Sequence, residues 1–277
     1  MLRTVPSPGS RGGGWAHASP LPELAIVRQM CHIDRMDYRS RANDHEAARA
    51  GESPGGTAPP APARKHDAAR TRRDIITVAA DEFAEQGFSG ARVDAIAART
   101  RTTKRMIYYY FGSKEGLYLA VLEEAYGRIR RVESELHLER FPPVEAVRRL
   151  VEFAFDYHEN NPQFVQLING ENLNKAVYLA RSEHLKDLSW PVIDVLAEVL
   201  VRGEREGVFR AGVDPVDLHM MISAFCFFRV SNQHTFGVLY DCDLFAPARR
   251  AAHRRMVTGL ILGWLRDGSG APGRAAA

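Results

Sequence analysis

Residues 102–117 read TTKRMIYYYFGSKEGL. Tyr108, Tyr109, Tyr110 and Phe111 stand in one run, with Lys104 and Arg105 just before them and Lys114 just after. A segment built for a core does not carry those cations. A solvated helix face does not carry four consecutive rings. The local signals define a short helix, with Thr103 as its N-cap and Gly112 as its end. Ser113 then caps a longer helix from Lys114 to about Val132, with Leu117, Val121, Ala125 and Ile129 on one face.

Upstream, TRRDIITVAADEFAEQGF places Ile75, Ile76, Ala79, Ala80 and Phe83 at helical spacing, with charges between them. Thr71 and Asp74 form a capping-box pattern, and Gly87 is a C-cap. ARVDAIAART is a second, short helix burying Val93, Ile96 and Ala97, and RTT is a tight turn. Two short helices joined by such a turn and braced by a preceding helix make a helix-turn-helix unit. In that unit the second helix enters the major groove of DNA and its N-terminal residues meet base edges.

Those residues here are Thr103, Lys104, Arg105 and Met106. Lys and Arg pair with guanine O6/N7, and an apolar side chain meets a thymine methyl. Tyrosine offers a flat apolar body and a hydroxyl that reaches phosphate. Tyr108 and Tyr109 are expected to face DNA, and Tyr110 and Phe111 to pack on the first helix. Lys114, at a helix N-terminus, suits a phosphate. Charge agrees: Arg64 to Lys114 holds eleven Lys/Arg against six Asp/Glu, more positive than the whole chain's +3. Arg99 to Lys114 holds five cations and no acid.

The stretch IITVAADEFAEQGFSGARVDAIAARTRTTKRMIYYYFGSKEGLYLAVL closely resembles the DNA-binding domain of TetR-family transcriptional regulators. The order and spacing carry the resemblance: helix, glycine, aromatic, short helix, turn, YYYF, then SKE opening a long helix. It implies a homodimer on a palindromic operator, released from double-stranded DNA when the C-terminal domain binds a small organic effector. By position, Thr103, Lys104, Arg105, Met106, Tyr108, Tyr109 and Lys114 match the family's contact positions. Two departures stand out. Arg101-Thr102 occupies a turn where many relatives carry Gly-Val. Lys-Arg-Met stands where many carry Lys-Gly-Thr, which implies a different operator.

The remainder reads as helical near Val144–His158, Pro162–Leu173, Ser189–Glu206, Asp214–Gln233 and Pro247–Arg266. The fold class is therefore all-α, with a helix-turn-helix domain over 67–115 and a helical domain over 116–266 to which the resemblance assigns ligand binding and dimerisation. The resemblance assigns the last two helices to a dimer bundle, with Met221, Phe225, Met256, Leu260, Ile261 and Trp264 at the interface. Aromatic walls with a few polar groups suit a small organic ligand. The candidate lining is Phe153, Tyr157, Phe164, Ile168, Glu171, Asn172, Trp190, Phe225, Phe228, Arg229 and Asn232. Arg229 could hold a carboxylate bidentately, but an ordinary salt bridge or a solvated face is the preferred reading. Local capping explains Asn169, Glu171, Asn172 and Asn174 at least as well as ligand recognition.

The chain has 277 residues, 45% hydrophobic and 26% charged, which is ordinary globular composition. Eight of its fifteen prolines fall before residue 67. Residues 1–66 are expected to be a disordered leader or upstream of the true start, with Met36 one candidate, and 267–277 a frayed tail. Cys31, Cys226 and Cys242 form no CxxC pair, so a reducing cytoplasm is expected, with no disulfide framework and no zinc site. No apolar run reaches the ~18–20 residues that span a bilayer. HExxH, GxSxG and P-loop patterns are absent, and no histidine has a glutamate three residues before it. No cofactor and no enzymatic activity are expected. A helical adaptor binding an acidic protein is the alternative, and an all-α enzyme the weakest.

Overall fold

The computed structural model describes residues 62–266, and among them every regular element is helical. The leader with Met36 and the C-terminal tail lie outside the described residues, except that the first helix already begins at Pro62. This α1, Pro62–Gly90, is kinked at Gly87, whose φ of 66° and ψ of 173° break the helical path. Ile75, Ile76, Ala79 and Phe83 on its inner face are buried. α2, Val93–Arg99, buries Val93, Ile96 and Ala97 as its spacing predicts. α3, Lys104–Phe111, sinks Ile107 completely while Tyr110 and Phe111 pack at the edge of the same core. α4, Lys114–Ser134, is a 21-residue rod opened by Ser113, whose Oγ accepts from the Gly116 N–H at 3.1 Å.

Proline sets the entry to most of the helices that follow. Its fixed φ and missing N–H suit the first helical turn, where the N–H has no partner to lose. Pro143 opens α5 (Pro143–Asn160), Pro162 opens α6 (Pro162–Leu173) and Pro215 opens α8 (Pro215–Ser231). Asp214 caps α8 by accepting from the N–H groups of Val216 and Asp217, at 2.7 and 3.2 Å. Pro247 begins α10, Pro247–Arg266. Two elements differ from the sequence expectation. α7 runs Glu183–Arg205, starting six residues before Ser189 and carrying Pro191 inside it. The helix expected to end at Gln233 stops at Ser231, and a separate α9 follows, Gln233–Tyr240. Ser182 is the actual cap of α7, accepting from the Leu185 N–H.

Two cores result. The head core joins α1, α2, α3 and the first half of α4, with Leu167 of α6 and Leu185 of α7 added. Phe83, Phe88, Tyr118 and Tyr178 form a cluster of rings in stacked, tilted and edge-to-face contact inside it, with centroids 4.3–6.2 Å apart. The body core joins the end of α4 to α5, α6, α7, α8 and α10. An ion network fastens its outer side: Arg229 to Glu159, and Arg250 and Arg254 to Asp156, with further bonds to Glu159 and Glu152.

At the end of α7 the chain reverses at Gly207, whose φ is 69°, and Phe209 folds back over Gly203. A Cβ on Gly203 would lie 2.0 Å from the Phe209 ring. Glycine inside a helix ordinarily costs ~1 kcal/mol relative to alanine. Here overpacking outweighs that gain, so Gly203→Ala is expected to destabilise the protein by ~1–3 kcal/mol. Urea unfolding followed by circular dichroism measures this, and a stabilised variant would contradict the packing.

Candidate functional site

The turn before α3 holds Arg101 at a φ of 52°, the left-handed region that the sequence departure required it to tolerate. Thr103 then caps α3, its Oγ1 accepting from the Met106 N–H at 3.2 Å. Ile107, fully buried, pins the helix to the head and fixes which face turns outward. That face carries Lys104, Arg105, Met106, Tyr108 and Tyr109, all exposed, with Tyr109 the most so at 77%. Lys104 is lightly held, 3.2 Å from Asp94 on α2. Lys114 lies against the α1 end: its Nζ is 3.4 Å from the Ser89 carbonyl and 4.9 Å from the Phe88 ring centre. Six of the seven residues singled out in the sequence stand on α3 or at its cap, and Lys114 opens the next helix. Of the five cations between Arg99 and Lys114, Arg99 is paired with Asp81 and Glu82 and Lys104 with Asp94.

Two of the cavities among the described residues adjoin each other. The larger, about 510 Å³, lies between α1, α4 and α7 and is lined among others by Arg72, Ile76, Glu123, His184 and Val192. The smaller, about 180 Å³, lies between α4, α5, α6 and α8. Its wall includes Tyr126, Arg130, Glu133, His158, His219 and Phe227. Of the lining expected from sequence, Phe164 and Ile168 face this smaller cavity. Phe153 and Tyr157 are buried in the packing beside it. The others are placed elsewhere. Trp190 and Asn172 are exposed, Phe228 packs on Phe236 of α9, and Phe225 packs on His253. Asn232 caps α8 through the Phe228 carbonyl, and Glu171 accepts from the Leu179 N–H. Arg229 is 3% exposed and sits between Phe155 and Phe245, bonded to Glu159 and the Leu244 carbonyl. The salt-bridge reading preferred for it matches that placement.

Reasoning from sequence missed the polar groups of the smaller cavity. Arg130 and Glu133 pair with one another at the cavity edge. Burial raises the Glu133 carboxyl, opposed by the Arg130 charge. Burial likewise lowers both imidazoles, His219 to about 4, and the Arg130 charge pushes the same way. His158 Nδ1 lies 2.7 Å from the Ala154 carbonyl, which only accepts, so that nitrogen carries the proton. Cys226, buried in the body core, has its thiol pushed up to about 12 chiefly by burial, which makes it an inert core residue.

The expected dimer residues divide. Met256 and Leu260 on α10 are exposed, Leu260 at 60%, and Met220 and Val216 on α8 add to that surface. Gly259 and Gly263 on α10 have nothing within 4 Å of where a Cβ would be. Ile261 is buried inside the protomer, so it is corrected from interface to core, and Met221, Phe225 and Trp264 are partly buried against the same core. One residue of rotation on a helix, ~100°, separates Leu260 from Ile261. Among the described residues there is no group of side chains arranged to hold a metal ion, and no helix long and apolar enough to cross a membrane.

Comparison with known proteins agrees with the geometry. Residues 75–121 match the family of bacterial regulatory proteins, tetR family, and residues 143–261 match a tetracyclin repressor-like C-terminal domain. The chain is 35% identical over 203 residues to the HTH-type transcriptional repressor NicS of Pseudomonas putida, spanning 73% of this chain and 96% of that one. It is 31% identical over 163 residues to the HTH-type transcriptional regulator RutR of Escherichia coli, 59% of this chain and 72% of that one. The crystal structure of SCO4942 from Streptomyces coelicolor superposes with a TM-score of 0.52 at 29% identity, covering 69% of this chain and 97% of that one. With a helix-turn-helix head, a helical body and a repressor relative 35% identical over 96% of its own length, the chain belongs to the TetR family of bacterial transcriptional regulators.

Proposed function

We propose that the protein is a homodimeric repressor that binds a palindromic operator and leaves it when a small organic effector occupies the body. The observation that carries this reading is α3. A buried Ile107 fixes it, and Lys104, Arg105, Met106 and Tyr109 form its exposed edge. Arg105 and Lys104 read bases, while Lys114, Tyr109 and the helix termini hold phosphates and set register. Two such helices reach successive major grooves ~34–36 Å apart only as a pair. The exposed Met220, Val216, Met256 and Leu260 supply the surface on which the pair forms.

Release follows from the shared helix. α1 contributes Arg72 and Ile76 to the larger cavity, so a molecule there touches the head's first helix and the body together. An effector displaces DNA by binding more tightly to the arrangement of heads that does not fit the operator.

Selection from random duplex pools in ~0.15 M salt with nonspecific competitor should enrich a palindrome, and the absence of enrichment from folded protein overturns this reading. On the selected operator, Arg105→Ala should cost ~1–3 kcal/mol and relax specificity at one position per half-site. An unchanged affinity and selectivity would remove α3 from the reading role. Met220→Glu with Leu260→Glu should convert the dimer to monomer in sedimentation and weaken operator binding, with the thermal transition of the separated protomer retained. A dimer that survives both charges would place the interface elsewhere.

A further inference from the structure

The two cavities have two lining residues in common, Arg130 and Glu133. Their side chains are 14% and 7% exposed and bond to each other through Arg130 Nη1 and Glu133 Oε2. That bond uses one corner of the guanidinium. Arg130 Nε is buried and has no hydrogen-bond partner among the described residues. Guanidinium is a donor-only group, and a buried N–H left without an acceptor is costly. With Nη1 taken by Glu133, the edge formed by Nε and Nη2 remains, and that edge takes a carboxylate with two parallel bonds.

The rest of the smaller cavity fits one flat ring. Tyr126 and Phe164 meet edge to face at 5.5 Å, and His158 stands 6.0 Å from Phe164 and 6.2 Å from Phe227. Ile129 and Ile168 complete an apolar lining. Its volume is about 180 Å³. An apolar cavity of about 150 Å³ accepts benzene, so this one holds a single ring and little more. Charge sets the sign of the ligand. Burial keeps His158 and His219 neutral near pH 7, which leaves Arg130 as the cation of this wall, with Glu133 opposite it.

We propose that the smaller cavity is a recognition subsite for a monocyclic aromatic carboxylate, its ring among Tyr126, Phe164 and Phe227 and its carboxylate on the Nε–Nη2 edge of Arg130. The ligand's carboxylate comes to lie beside Glu133 on one guanidinium, so the two share a single positive charge and Glu133 opposes the ligand electrostatically, though it leaves the Nε–Nη2 edge open. This rests on the effector-responsive reading above and names the class of molecule taken by the smaller cavity, which meets the α1-lined larger one at Arg130 and Glu133.

Calorimetric titration of the full chain with sodium benzoate and with benzamide tests it, since the two probes share a ring and differ in charge. Benzoate should bind one per protomer, at least ~10-fold more tightly than benzamide, a difference of ~1.4 kcal/mol. Glu133→Gln removes the opposing carboxylate and should tighten benzoate binding. Arg130→Gln combined with Glu133→Gln replaces the ion pair by a neutral pair of similar shape, and should reduce benzoate to the benzamide level while the circular dichroism melt stays cooperative. A purely structural pair would weaken benzoate binding in both variants or in neither, and either pattern overturns the subsite. So does benzoate that binds no more tightly than benzamide, or not at all up to ~10 mM. Release of the selected operator is followed in the same samples. Benzoate that binds without releasing DNA upholds the subsite and removes the effector role. No benzoate binding by a protein that still selects an operator removes the subsite and keeps the regulator.

Discussion

The fold depends on α4 belonging to both cores. Leu117, Tyr118, Val121 and Leu122 are buried in the head, Ile129 in the body, and Ala125 and Tyr126 touch both. A helix of 21 residues is ~30 Å long, and sharp bends in helices arise mainly at proline, at glycine pairs or where a side chain breaks the ladder. α4 contains no proline. The helix is therefore continuous from one core to the other, as the proposed release of DNA requires. Burial enforces the same coupling a second time. Leu167 and Leu185 come from α6 and α7, yet lie in the head core. The head is thus seated on the body by apolar contact as well as by the chain, and Asp81 of α1 is bonded to Gln163 at the start of α6.

The head was legible because its signals are local. Thr103, Gly112 and Ser113 are boundary residues whose preference follows from the backbone alone, and each acts at the boundary expected of it. The expectation that Tyr108 and Tyr109 face outward while Tyr110 and Phe111 pack on the first helix also agrees with their exposure. Helix ends were less legible where the preference of one residue type competes with tertiary packing. Pro191 inside α7 and the break between α8 and α9 are both of this kind.

The cavities were not legible, and the reason is geometric. Periodicity tells which residues share a face, but not which faces meet. Tyr126, Arg130 and Glu133 come from α4, His158 from α5, Phe164 from α6 and His219 from α8. No spacing within any one helix marks them as neighbours. Aromatic content pointed towards Trp190 and Phe228, but a ring reports a wish for burial and not its address, and both remain exposed in the protomer. On α10 the sequence did not separate Leu260 from Ile261, since both are apolar and only the body core that Ile261 joins with Val257 and Leu265 decides which is inward.

The cations of this molecule fall into two energetic classes, and the division suits the proposed function. In the head, Lys104 meets Asp94 with both side chains about half exposed, and Arg99 meets Asp81 in a similar setting. Exposed pairs of this kind are worth ~0–1 kcal/mol, so a phosphate or a guanine can replace the carboxylate at little cost. In the body, Arg229, Arg250 and Arg254 are held by Glu159, Asp156 and Glu152 with most of their surface covered. Removing one partner of such a pair costs ~3–5 kcal/mol, because the other charge is left buried, so these residues fix α5 against α8 and α10. Arg130 belongs to neither class. It is buried as deeply as a structural cation, but it has one bond where it has room for more, and it stands on the helix that both cores share. A buried charge with incomplete bonding is the kind of group whose surroundings change when an anion arrives. On α4 such a change reaches the head.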